Sequence, residues 1–233
     1  MIYNKNTVIA ELAGKDSIVA IIKYAKENKD SYILPTIIKV PSEESRHQEL
    51  FSFYEQLQNY ITTLGSHMYT PLFLDESTYW WSLNQPIASM IKEYNFYSPC
   101  IACHGLLHSI RIPLAQVYSG KILTGEKLLH NGKIKINQNS IVLDIFDDLF
   151  KKYNIEVIRP IDDDANEIID EFYNQYNIEE VKYIKCYMSG NSNVNHINDL
   201  KEYNINKYCY EYLIPKLDNI IKEIKEEGNI YDK

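Results

Sequence analysis

Apolar positions along the chain alternate between short extended runs and longer stretches with a 3.6-residue period, the pattern of strands interleaved with amphipathic helices. Thr7 to Leu12 reads as a first strand, and the segment after it places Ile18, Ile21, Ile22 and Ala25 on one helical face. Tyr32 to Val40 is a second strand interrupted by Pro35, followed by a helix whose inner stripe is Leu50, Phe51, Tyr54, Leu57 and Ile61. Met68 to Leu74 predicts a third strand, and Ser77 to Tyr94 a helix broken near Pro86. Lys121 to Thr124 reads as a strand, and Asn139 to Tyr153 as the clearest helix, with Ile141, Val142, Ile145, Phe146, Leu149 and Phe150 in register. Glu156 to Pro160 is a further strand. Asp164-Ala165-Asn166-Glu167 reads as a capping box opening a helix through Tyr176. Ile214, Leu217, Ile220, Ile221 and Ile224 share the face of a final helix.

Strands alternating with helices predict an α/β three-layer sandwich, Rossmann-like, with a mostly parallel sheet and a C-terminal helical extension. No repeat, linker or compositional break divides the chain. The expectation is therefore one domain over 1–233, with a core to about 190 and the extension over about 195–233.

Composition narrows the function classes. The 233 residues are 45% apolar and 24% charged, a globular balance, and carry a formal net charge of −8. That charge disfavours tight, unaided nucleic-acid binding. No apolar run approaches the ~20 residues of a membrane helix, and Met1 to Asn6 lacks the apolar core of a signal peptide. The expectation is a cytoplasmic chain with no membrane contact. Four cysteines in a chain this long do not make a secreted disulfide scaffold, so the thiols are available for metal or redox chemistry.

Candidate chemistry begins at the first strand-to-helix junction, Ala13-Gly14-Lys15-Asp16-Ser17. Backbone N–H groups at a helix start, with the positive end of the helix dipole, suit a phosphate. Gly14 permits a close backbone approach or a positive φ. Lys15 adds a positive charge, Ser17 a hydroxyl, and Asp16 a carboxylate able to hold Mg²⁺ against phosphates. The Walker A spacing is absent. A plain turn with Asp16 or Ser17 as N-cap is the structural alternative.

Pro99-Cys100-Ile101-Ala102-Cys103-His104 contains C-x-x-C and C-x-x-C-H. A haem site is rejected for want of an export signal, and a thioredoxin-like role because the motif lies mid-chain. Cys100, Cys103, His104 and His108 are all metal-ligand types. On a helix Cys100 and His108 stand about 12 Å apart along the axis, so one zinc ion cannot readily take both. Cys186 is the leading outside ligand. Cys209, between Tyr208 and Tyr210, reads as core packing.

Strand, turn and helix together resemble the PP-loop ATP pyrophosphatases, whose usual loop reads Ser-Gly-Gly-x-Asp-Ser; Leu12 and Ala13 replace the Ser and first Gly. The layout is nearest to the tRNA-thiolating members. The order Cys100-x-x-Cys103, then Val157-Ile158-Arg159-Pro160-Ile161, a helix, and Cys186 follows theirs from residue 7 to about 190, although His104 to His108 is this chain's own. The resemblance implies the HUP variant of the Rossmann-like fold. It also implies ATP and Mg²⁺ at Ala13, Gly14, Lys15, Asp16 and Ser17, with Lys15 and Asp16 catalytic. A Thr124-Gly125 turn would line the nucleotide pocket, with Lys133 reaching the nucleotide and Glu126, His130, Lys135 and Asn137 further polar groups that a substrate or phosphate could meet. Cys100, Cys103 and Cys186 would hold a [4Fe-4S] cluster with an open iron, or relay sulfur. The implied reaction is adenylation of an acceptor, a tRNA or a small molecule, with release of pyrophosphate, followed by sulfur transfer. Three alternatives stay open: an ATP-dependent ligase or amidotransferase-like enzyme with structural Zn²⁺ on the cysteines, a non-catalytic nucleotide-binding protein, and, for Asn131-Gly132, a type I′ turn in a short hairpin with its lysines solvated. A second copy of the chain, making a homodimer, is the remaining candidate partner.

Overall fold

The alternation of strands and helices resolves, in a computed structural model, into a parallel sheet covered on both faces. Residues 3–226 are described, apart from 46, 130–132, 162–164, 179–183, 188–192, 195, 196 and 198. The capping box beginning at Asp164 and the Asn131-Gly132 turn fall outside the described residues.

The central strands are β1 (Thr7–Glu11), β2 (Tyr32–Lys39), β4 (His67–Met68), β5 (Leu72–Asp75), β6 (Lys121–Leu123) and β8 (Glu156–Ile158). They run in the order β4-β2-β1-β6-β8, with β5 also on β2, and every pairing is parallel. β4 and β5 are the predicted third strand split at Pro71, and Pro35 explains the matching gap on β2. Thr36 O accepts from Leu12 N toward β1, whereas Ile33 O accepts from Tyr69 N on the opposite side. Alternation along the strand then turns the missing N–H of Pro35 toward the break between Met68 and Leu72, where no donor is needed.

Each face of the sheet is covered by its own helices. Val8, Ala10, Ile33, Ile37 and Leu123 pack with Ile18, Ile21 and Ile22 of α1 (Lys15–Glu27), Phe53 and Leu57 of α2 (His47–Thr63) and Phe172 of α7 (Ala165–Tyr176). Ile9, Leu34, Ile38 and Ile122 face α5 (Pro99–Val117) and α6 (Ser140–Lys152). Successive residues of β1 and β2 thus serve opposite layers, as a period of two requires when both faces are covered. The region between β5 and α5 holds α3 (Ser77–Asn84) and α4 (Ile87–Tyr94), separated at Pro86 as the sequence predicts.

α5 is a core helix rather than an amphipathic one, buried from Cys100 to Ala115 except for half-buried His104. It starts cleanly: Pro99 supplies a fixed φ, and the Ser98 hydroxyl accepts from Ile101 N at 3.3 Å. The C-terminal extension covers its outer side. α8 (Asp199–Tyr208) passes through a π turn at Cys209–Leu213 into α9 (Ile214–Glu226), beside Pro215, which cannot donate to the helical ladder. A side chain at Gly105 would stand 2.7 Å from Leu217 Cδ1, so glycine sets how closely α9 approaches α5. Cys209 is fully buried in this layer.

Two small antiparallel ribbons lie outside the main sheet. β3 (Glu43–Ser45) pairs with β9 (Ile184–Cys186), and β7 (Ile134–Lys135) with β10 (Asn193–Val194). The partner of β7 is therefore a distant segment rather than a local hairpin strand.

Candidate active site

Strand order fixes where a ligand belongs. From β1 the chain moves outward through β2 to β4 and β5, then returns to the other side of β1 for β6 and β8. In open α/β sheets the crevice at such a reversal, beyond the carboxyl ends of the strands, is the binding position. Here it is bounded by the turn after β1, Leu12 to Gly14, and the turn after β6, Thr124 and Gly125. A cavity of about 300 Å³ opens there, at the lower end of small-molecule sites.

The turn after β1 is braced by a single hydroxyl. Ser17 Oγ accepts from Ala13 N at 2.9 Å and Gly14 N at 3.0 Å, and donates to Gly14 O at 2.7 Å. Ser17 is thus committed to shaping the loop. Of the two roles the sequence allows Gly14, a positive φ is not the one it takes. It is extended, at φ −169°, and nothing lies within 4 Å of where its Cβ would be. What the missing side chain preserves is open space at the start of α1. The steric demand falls on Gly125, where an added Cβ would lie 2.4 Å from Ser17 N and 2.6 Å from Asp16 C. Gly125 N also donates to Glu11 Oε2 at 3.3 Å, joining the two turns.

Charge in this crevice is mixed. Asp16 Oδ1 pairs with Lys127 Nζ at 3.1 Å, and Glu11, Lys15 and Lys135 share the cavity wall. Burial, with Lys127 nearby, holds the Lys135 amine below its ordinary pKa against the opposing pull of Asp16 and Glu11. Burial deepens along alternate positions from exposed Lys133 through half-buried Lys135 to buried Asn137. Lys133 does not line the cavity; Lys135, Asn137 and Gln138 do.

The cysteines reach the same cavity from two directions. Cys100 and Cys103 come from the first turns of α5, and Cys186 from the end of β9, held by pairing opposite Glu43 and by Tyr187 N donating to Ser42 O at 2.9 Å. None of the four cysteines is disulfide-bonded. Burial, with Cys186 adding to it, pushes the Cys100 thiol up to about 11. The sulfurs do not close to the spacing of ligands around one ion, since no group of three metal-type side chains with ligand atoms within 4.8 Å of one another includes a cysteine among the described residues.

The sequence offers Glu126 as a polar group beside the Thr-Gly turn, but not the cluster it forms behind this wall. Glu126 is buried; its Oε1 lies 2.9 Å from His108 Nε2 and 3.7 Å from His104 Nδ1, and its Oε2 accepts from Arg159 Nε at 3.1 Å. Arg159 donates its other arm to Asp147 Oδ1 at 2.7 Å. Burial alone would raise the Glu126 pKa. The two imidazoles and the guanidinium outweigh it and hold the carboxyl well below its ordinary range. The helical spacing of His104 and His108, and Glu126 after the Thr-Gly turn, were visible in the sequence; their convergence with Arg159 and Asp147 was not. Three buried polar atoms on cavity residues, Ser42 Oγ, Trp80 Nε1 and Asn137 Oδ1, have no hydrogen-bond partner among the described residues. Such atoms are expensive to bury and call for a ligand or solvent group.

Comparison with known proteins adds one relative. An uncharacterized protein of the archaeon Methanocaldococcus jannaschii is 34% identical over 160 residues, covering 67% of this chain and 58% of the relative. The chain thus spans less than two thirds of the relative's length. No protein-family model matches, and no solved structure matches. Among the described residues no helix is long and apolar enough to cross a membrane.

Proposed function

We propose that the chain is a PP-loop ATP pyrophosphatase-like enzyme of the HUP type. It binds ATP in the β1/β6 crevice and adenylates an acceptor in preparation for sulfur transfer. The observation that carries this reading is the convergence of Ala13 to Ser17, Gly125 and all three of Cys100, Cys103 and Cys186 on one cavity. The open space at Gly14 and the partnerless Ser42, Trp80 and Asn137 atoms fit a polar ligand there.

The chemistry follows from these positions. The triphosphate would lie over Gly14 at the start of α1, with Lys15 and Lys135 facing its negative charge. Asp16 is the carboxylate placed to hold Mg²⁺ against it, releasing Lys127 toward the phosphates. An acceptor oxygen attacks the α-phosphorus, the bond from that phosphorus to the bridging oxygen breaks, and pyrophosphate leaves. A sulfur nucleophile then displaces AMP. Cys100, Cys103 and Cys186 would hold a [4Fe-4S] cluster, which supplies an open iron for binding sulfur. The desolvated Cys100 thiol needs a nearby cation before it ionises readily, which fits a metal-loaded state. The absence, among the described residues, of a cysteine-containing triple within 4.8 Å fits a cluster or relay better than one zinc ion held by all three thiols. The charge of −8 favours a small acceptor over tRNA.

The test is to measure ATP binding by calorimetry and pyrophosphate release with the wild type and Asp16→Ala. Binding with release that Asp16→Ala abolishes is the expected result; no ATP binding at millimolar nucleotide would end the reading. Iron and acid-labile sulfide in anaerobically prepared protein separate cluster from zinc.

A further inference from the structure

His104, His108 and Glu126 are used by none of the steps above, yet they form a compact donor set. The two imidazoles stand one turn apart on α5, and Glu126 follows directly on the Thr124-Gly125 turn. One ligand atom from each lies within 4.8 Å of the other two, and the contacts to Glu126 Oε1 are 2.9 Å and 3.7 Å. A tetrahedral ion with metal–ligand bonds of about 2.0–2.2 Å separates its donors by roughly 3.3 Å. The two contacts to Glu126 Oε1 bracket that value, and the third separation stays within 4.8 Å, so small side-chain adjustments would close the set around an ion.

We propose that His104, His108 and Glu126 form a mononuclear site for a divalent transition ion of the zinc class, distinct from the thiols and open to the cavity through His104. Two imidazole nitrogens and one carboxylate oxygen, with a fourth position left free, is the donor set of a reactive zinc site rather than a closed structural one.

The surroundings orient this set. Glu126 Oε2 is engaged by Arg159 Nε and lies 3.5 Å from Thr124 Oγ1, which leaves Oε1 turned toward the imidazoles. Asp147 offsets the charge of Arg159 through its 2.7 Å contact, so the carboxylate of Glu126 retains its attraction for a cation. His108 is clamped between Phe146 and Phe150, with ring centroids 5.1 Å and 5.0 Å away. His104 has a side chain 25% exposed and lines the cavity, giving an ion its access and a ligand its approach. One element is missing. His108 Nδ1 has no hydrogen-bond partner among the described residues, and losing such an outer contact costs about 10–100-fold in metal affinity, so the site binds more weakly than a fully braced one.

The inference stands apart from the nucleotide and cluster readings, and its test removes the thiols. Co²⁺ is titrated into metal-stripped Cys100→Ser/Cys103→Ser/Cys186→Ser protein, with binding followed by visible absorption and equilibrium dialysis. The expected result is one Co²⁺ per chain, displaced by Zn²⁺, and at least a 100-fold loss of affinity in the additional His104→Ala variant. Thermal melting of the metal-free proteins checks that His104→Ala leaves the fold intact. Should the triple variant not fold, the same titration is made on the wild type, where absence of a sulfur-to-cobalt charge-transfer band marks binding without thiolates. No Co²⁺ uptake, uptake unchanged by His104→Ala, or uptake only with the charge-transfer band would overturn the proposal.

Discussion

Gly125 and Ser17 touch backbone to backbone: a Cβ on Gly125 would fall 2.4 Å from Ser17 N, well inside any tolerated contact. The turn after β6 is therefore packed directly on the first turn of α1, and the two sides of the crevice form one rigid edge. Gly125→Ala must push these turns apart. Overpacking of this kind costs about 1–3 kcal/mol, and ATP binding in the proposed site should fall with it. Gly14→Ala is the contrasting variant, since Gly14 is extended and faces open space. It should change stability by less than about 0.5 kcal/mol while still weakening ATP binding. Urea unfolding and calorimetry on both variants distinguish the two glycines; equal destabilisation would contradict the packing described.

Lys135 and Lys133 separate in the same way. Lys135 is half-buried in the cavity wall among Asp16, Lys127 and Glu11, and Lys133 is exposed outside it. A charge-assisted contact to phosphate is worth about 1.5–3 kcal/mol. Lys135→Ala should therefore weaken ATP binding by roughly 10–150-fold, whereas Lys133→Ala should stay within about twofold. A reversed order would place the phosphates elsewhere.

That pair marks how far the sequence could be read. Strand and helix order, both turns and the three cysteines were legible, because each is written in local periodicity or in residues of unambiguous chemistry. Which lysine reaches the cavity was not, because β7 pairs with Val194 and Asn193 far along the chain, and that pairing sets the segment's depth. Gly14 illustrates a second limit. The sequence allows a positive φ or a close approach there, and only the fold shows the residue extended with open space beside it. The Glu126 cluster lay beyond reach for a third reason: Arg159 is 33 positions away and Asp147 comes from a different helix. His104 and His108, at helical spacing, and Glu126, next to the Thr-Gly turn, gave local signs of the members but not of their meeting.

Glu126 predicts an acid-side signature. Its folded-state pKa lies below the ordinary glutamate value of 4.5, so the folded state binds the proton less readily than the unfolded chain. The stabilisation is then fully present above about 4.5 and is lost as pH falls toward the depressed value. Glu126→Gln should lower stability at pH 7 by about 3–5 kcal/mol, the usual loss when one partner of a buried ion pair is removed. It should also flatten the fall in stability below pH 4.5 relative to wild type. Urea midpoints of both metal-free proteins from pH 7 to 3 measure this, and parallel curves would show that Glu126 does not carry the slope.

Thiol reactivity supplies the last prediction, because the cysteines differ in what surrounds them. Cys186 is half-buried at the cavity, Cys100 is buried there and pushed up to about 11, and Cys209 is fully buried and pushed up to about 12. Only the thiolate reacts, so at pH 8 a thiol near 11 alkylates about a hundredfold more slowly than one in the unfolded chain. In folded, metal-free protein, iodoacetamide should modify Cys186 first. Cys100 should follow only slowly, and its rate should climb about tenfold per pH unit through pH 10. Cys209 is fully buried and does not line this cavity, so it should react only as the chain unfolds. Peptide mapping by mass spectrometry at pH 8, 9 and 10 reads all three rates at once. Fast labelling of Cys100 at pH 8 would mean that a cation or a different local structure already stabilises its thiolate, and rapid labelling of Cys209 would place it outside the core.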